Sequence, residues 1–104
     1  PPLRFGEGDG VFPDIAVFAG SPDFSGPGAK DIVLLVEVAK STLRYDLGDK
    51  AALYAREGIV RYAVLDVRRR LFVVHSDPVD GVYRTIVESP ELDGLPAERF
   101  LPRS

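Results

Sequence analysis

Cysteine is absent from the 104 residues. Disulfides and thiolate zinc sites are therefore excluded. Together with the lack of a recognisable signal segment, this points to a cytoplasmic protein. Methionine is absent too, and the chain opens Pro1-Pro2. A complete gene product normally starts with methionine, so these residues read as a fragment whose N-terminal part is missing. No apolar run approaches the ~18 residues that cross a bilayer, so no membrane association is expected. Positive charge is not in excess: the net charge is −3. That disfavours a nonspecific nucleic-acid binder but not a metal-dependent nuclease, which needs carboxylates. Only one histidine is present. A hydrolytic triad would have to be built on His75, whose strand "LFVVHS" offers no context for a nucleophile and an orienting acid around it; it reads as a partly exposed strand residue.

What is present is a globular composition, 45% hydrophobic and 28% charged. A chain of this length supports one core and one domain over 1–104. Residues 1–10 read as a loop or the approach to a strand. Their glycines are not followed by the Gly-Lys-Ser/Thr of a phosphate loop. "VFPDIAVF", 11–18, reads as a strand, at an edge or beginning only after Pro13. Residues 19–31, rich in Gly, Pro, Ser and Asp, read as a loop. "IVLLVEV", 32–38, is continuously apolar and predicts a central strand covered on both faces. A helix is predicted over 44–58. Leu43, Leu47, Ala51, Tyr54 and Ala55 share one face, Ser41 or Thr42 caps the start, and Gly58 stops it. Gly48 costs roughly 1 kcal/mol inside a helix, so the firm part begins after it. Strands follow at 60–67, 71–76 and 82–89, joined by "RRR" at 68–70 and "DPVDG" at 77–81. Their short links make this set antiparallel, while the helical link makes 32–38 and 60–67 parallel. Residues 90–104 form a turn-rich tail. The fold class is α/β (mixed α+β), with a central strand–helix–strand unit.

Glu37 interrupts the central strand with a carboxylate, which must be neutralised, paired or metal-bound if buried. Asp14 interrupts the neighbouring strand. Two carboxylates on adjacent strands can converge on a hard cation such as Mg²⁺. Asp46, Lys50 and Tyr54 form a row along the helix beside its apolar stripe. Lys50 could stabilise charge on a phosphoryl group. The plainer alternative is an Asp46–Lys50 ion pair on a solvated face. Lys40, three residues past Glu37, falls on the opposite face unless the chain bends after Val38. Arg68, Arg69 and Arg70 read as a solvated hairpin tip rather than a phosphate contact.

"PDIAVF" followed by "LLVEVAKSTLRYDLGDKAALYAREGIVRYAVLD" resembles the putative restriction endonuclease family of the PD-(D/E)XK nuclease superfamily. The resemblance spans roughly residues 9–100. It implies a restriction-endonuclease-like mixed sheet with an antiparallel C-terminal set, and Mg²⁺-dependent hydrolysis of DNA phosphodiesters, with Mn²⁺ as the alternative ion. It places Asp14 and Glu37 at the two metal-binding acids. Lys50 stands in for the lysine that the wider superfamily carries two residues after the second acid, where this chain has Ala39. Asp46 and Tyr54, with Lys40, are candidate supporting residues. A homodimer is a candidate assembly, because nucleases of this superfamily often act as dimers. The chain departs from the family pattern at Lys40 (often Asp), Arg61 (usually Glu) and Ala63 (an aromatic). Two further readings stand beside the nuclease: a catalytically inactive binding or interaction module on the same fold, and a small structural domain whose polar residues only form ion pairs.

Overall fold

A computed structural model of the chain describes residues 3–5, 9–11, 14–19 and 31–102. Pro13 and most of the loop expected over 19–31 lie outside the described residues. Two short antiparallel strands, β1 (Leu3–Phe5) and β2 (Asp9–Val11), pair with each other where a loop or the approach to a strand was expected. Of the strand expected over 11–18, at an edge or beginning only after Pro13, the described part is β3, Ile15–Phe18.

The main sheet has five strands in the order β3-β4-β5-β6-β7. Strand β4 (Ile32–Ala39) pairs antiparallel with β3 and parallel with β5 (Arg61–Asp66). Strands β6 (Leu71–Val79) and β7 (Val82–Ser89) complete an antiparallel set with β5. This is the mixed sheet that the pattern of apolar runs predicts. Strand β6 runs three residues further than expected, through Pro78. The tight turn lies at Asp80-Gly81, where both residues have positive φ (52° and 78°). A two-residue loop of that kind matches the strands' right-handed twist.

The expected single helix is split at Gly48 into α1 (Leu43–Leu47) and α2 (Asp49–Arg56). A side chain at Gly48 would place its Cβ 3.0 Å from the Arg44 carbonyl oxygen, a tight contact that the α1 backbone would have to yield to accommodate. Helix α2 stops where expected. Gly58 adopts φ +76°, the Gly58 N–H donates to the Ala55 carbonyl, and the Ile59 N–H donates to that of Tyr54. This is the Schellman arrangement, with buried Ile59 as its apolar contact.

The apolar run of β4 is explained by cover on both faces. Leu35 and Ala39 pack with Ala51, Tyr54, Ala55, Tyr62 and Tyr83 on the helix side. Leu34 and Val36 pack with Ala63, Leu65, Phe72 and the tail residues Leu92, Ala97 and Leu101 on the other. The tail is therefore structural. It forms the hairpin β8 (Glu91–Leu92) and β9 (Leu95–Pro96), then a 3-10 turn at Ala97–Phe100. Ala63 is fully buried in this second layer, where a small residue leaves room for the tail. Arg61 holds the tail's hairpin through a bidentate pair with Asp93 at 2.9 and 3.0 Å. The hairpin tip at 68–70 is pinned as well. Arg69 bridges Asp66 and Glu88, each at 2.7 Å, and Arg70 pairs with Glu98. No helix among the described residues is long and apolar enough to cross a membrane.

Candidate active site

Glu37 lies near the C-terminal end of β4 on the helix side, in step with Leu35 and Ala39. Only 1% of it is exposed. The register of β3 against β4 pairs Ile15 with Val36. Continued by one residue, it sets Asp14 opposite Glu37. Each carboxylate accepts a backbone N–H from the opposite segment. The Asp14 N–H donates to Glu37 Oε1 at 2.9 Å, and the Val38 N–H donates to Asp14 Oδ2 at 2.7 Å. Asp14 is exposed while Glu37 is buried. The pair thus sits at the rim of the sheet, with one acid open to solvent.

Lys50 reaches this rim from α2 and donates to Glu37 Oε2. Its ammonium is also 3.3 Å from Asp46 Oδ1 and 5.5 Å from the centre of the Tyr45 ring. Partial burial pulls the Lys50 pKa down, but the carboxylates of Glu37 and Asp46 outweigh it and hold the pKa above its ordinary value. Lys50 is therefore the lysine at Glu37. Lys40 is exposed just past β4, and no ion pair among the described residues involves it.

Asp46 departs from the solvated pair expected of it. It is 1% exposed, tucked under α1. Thr42 donates its hydroxyl to Asp46 Oδ2 at 2.7 Å instead of capping the helix with a side-chain acceptor. The phenol of Tyr62 donates to the Asp46 carbonyl at 2.9 Å. Tyr54, the last of the predicted row, is fully buried, in keeping with its place on the helix's apolar face. Its ring meets Tyr62 edge-on at 4.8 Å. Burial, reinforced by the negative charge of Glu37 and Asp46, raises its phenol pKa and keeps it protonated. Thr42 and Tyr62 are the site residues that sequence reasoning missed as side-chain partners of Asp46. A Thr four residues before an Asp was their one available signal.

The donor set fits a hard divalent ion. Asp14 and Glu37 offer carboxylate oxygens, whose second lone pairs stay available while the first accept N–H groups. No group of three or more His, Cys, Asp or Glu residues suited to a metal occurs among the described residues. Two protein ligands would leave the remaining positions to water and substrate, as Mg²⁺ prefers.

His75 belongs to the core, not the surface. It is 2% exposed, and its Nδ1 lies 2.9 Å from the Tyr62 carbonyl. Burial lowers its pKa below the ordinary 6.5, against the opposing pull of backbone hydrogen bonds. The unfolded chain takes up this proton below about pH 6.5 and the folded chain resists it. The stability tied to His75 is therefore full above that pH and is lost as the pH falls towards the folded value. Melting temperatures should drop between pH 7 and pH 5.5, and His75→Phe should flatten that slope. An equal slope in the variant would assign it to other groups.

Searches of curated proteins and of solved structures returned no match to this chain. The family model Uma2, described as "Putative restriction endonuclease", matches residues 1–104. The match spans the mixed sheet, the split helix and the rim where Asp14, Glu37 and Lys50 meet, and the chain belongs to the Uma2 family of restriction-endonuclease-like proteins.

Proposed function

We propose that this chain is a metal-dependent endonuclease that hydrolyses phosphodiester bonds in DNA. The observation that supports it best is the meeting of Asp14, just before β3, with Glu37 on β4 and Lys50 on α2 at one rim of the sheet. In this reading Asp14 and Glu37 hold Mg²⁺, or Mn²⁺ in its place. The bound ion would supply Lewis-acid stabilisation of the displaced phosphate oxygen and lower the pKa of a bound water. Glu37 is held on one side by the Asp14 N–H, which fixes where its carboxylate points. Lys50, anchored on α2 and kept charged by its acidic neighbours, is placed to offset negative charge on the scissile phosphate.

One observation favours the inactive interaction module instead. Both Glu37 oxygens already have partners within the chain. The two readings separate on one experiment: the full chain incubated with supercoiled plasmid in Mg²⁺ or Mn²⁺, with calorimetric Mn²⁺ titration alongside. Nicking that stops with a chelator, and Mn²⁺ binding that disappears in Asp14→Ala, are expected. Mn²⁺ binding without any nicking would leave the module. The absence of both would dismiss the site.

A further inference from the structure

We infer that Asp46 is a positioning residue for Lys50: the acceptor that takes over the ammonium when a divalent cation occupies Glu37. This rests on the metal reading of Asp14 and Glu37. Asp46 is 1% exposed, and Oδ1 accepts no hydrogen bond of normal geometry although it is buried. That oxygen is ion-paired without a completed hydrogen bond: the Lys50 ammonium lies 3.3 Å away, and closing that gap would satisfy a buried acceptor. Lys50 instead donates to Glu37 Oε2, one of the oxygens a metal would use.

An ammonium and a dication cannot share that oxygen without strong repulsion at such range. Lys50 must then give up its bond to Glu37. Asp46 Oδ1 needs only a small shift of the ammonium to become its hydrogen-bond acceptor. The other oxygen of Asp46 is held by Thr42, and its backbone carbonyl by Tyr62, so the acceptor itself is fixed in place. The lysine therefore stays charged and close to the rim in both states. The sequence spacing serves the same end: Asp46 and Lys50 are one helical turn apart across the Gly48 corner, and that corner lets the carboxylate turn inward while Lys50 keeps contact with the strand.

The test is a double-mutant cycle read by calorimetric Mn²⁺ affinity, without DNA, using the full chain as wild type, Asp46→Asn, Lys50→Met and the double variant. Lys50→Met removes the competing cation and should bind Mn²⁺ about tenfold more tightly. Asp46→Asn, which keeps the shape and the Thr42 bond, should bind it about tenfold more weakly, and this loss should vanish in the Lys50→Met background. A purely structural role would instead carry the loss into the double variant and overturn the inference. Wild-type affinity in Asp46→Asn overturns it too. If Asp46→Asn does not fold, Lys50→Met decides alone, because weaker binding there contradicts competition at Glu37. No Mn²⁺ binding by the wild-type chain overturns the metal reading and this inference together, whereas normal binding indifferent to Asp46 overturns the inference only.

Discussion

Glu37→Gln should lower metal-dependent plasmid nicking by at least about a hundredfold while leaving the fold intact. The amide keeps the length and shape of the side chain. Its oxygen can still accept from the Asp14 N–H, so β3 and β4 stay clasped. What it loses is the charge that holds both a cation and Lys50. Glu37→Ala should lose the same activity and also stability. It leaves the part-buried Asp14 N–H without its acceptor and removes the main partner of Lys50. Removing one member of a buried ion pair costs about 3–5 kcal/mol. Here the lysine side chain is 24% exposed and keeps Asp46 nearby, so about 2–3 kcal/mol is expected. Nicking assays and urea unfolding, run on both variants, separate the two effects. Wild-type cleavage by Glu37→Gln would mean that the acid is only a structural partner.

The second large effect is expected at Tyr62, in the layer that supports the site. Its ring is fully buried. It meets Tyr54 edge-on, stacks on Tyr83 at 6.4 Å and lies 5.2 Å from His75. Tyr62→Ala should cost about 3–5 kcal/mol, because the aromatic cluster cannot collapse into the space left. Set against the typical 5–15 kcal/mol of a domain, that is enough to populate unfolded chain. Tyr62→Phe is the finer probe. It retains the packing and removes only the hydroxyl that holds the Asp46 carbonyl. A loss of about 1 kcal/mol is expected, with the urea m-value unchanged. A cost near that of the alanine variant would shift the weight from ring packing to the single hydrogen bond.

Much of this architecture was legible in the chain itself. Continuous apolar residues at 32–38 announced a doubly covered strand, and period-3.6 spacing announced the helix packed on it. Gly58 marked the stop, because positive φ is open to glycine at little cost. The short links after residue 60 required antiparallel pairing. These signals are local: each depends on backbone sterics or on the side-chain period of one element. The boundaries that failed were those set by partners. Strand β6 runs through Pro78 because its pairing with β7 continues to Val79, and the tail is ordered because it has a sheet face to cover.

The candidate site divides along the same line. An acid in an apolar run, an acid after a proline and a lysine on the following helix were all visible in sequence. Their meeting was not, because it depends on the register that sets Asp14 across from Glu37 and on the corner at Gly48. Spacing alone read Asp46 and Lys50 as a solvated pair. Only the packing of α1 against Tyr62 buries Asp46 and turns it towards Lys50, and only the pairing of β4 with β3 brings Asp14 to the rim that Lys50 reaches. Sequence by itself determined which residues carry charge and which elements they ride on, since both follow from local chemistry. Tertiary structure alone decided which charges are buried and which share a partner, because burial and contact are properties of the assembled sheet and helix and of no single element within it.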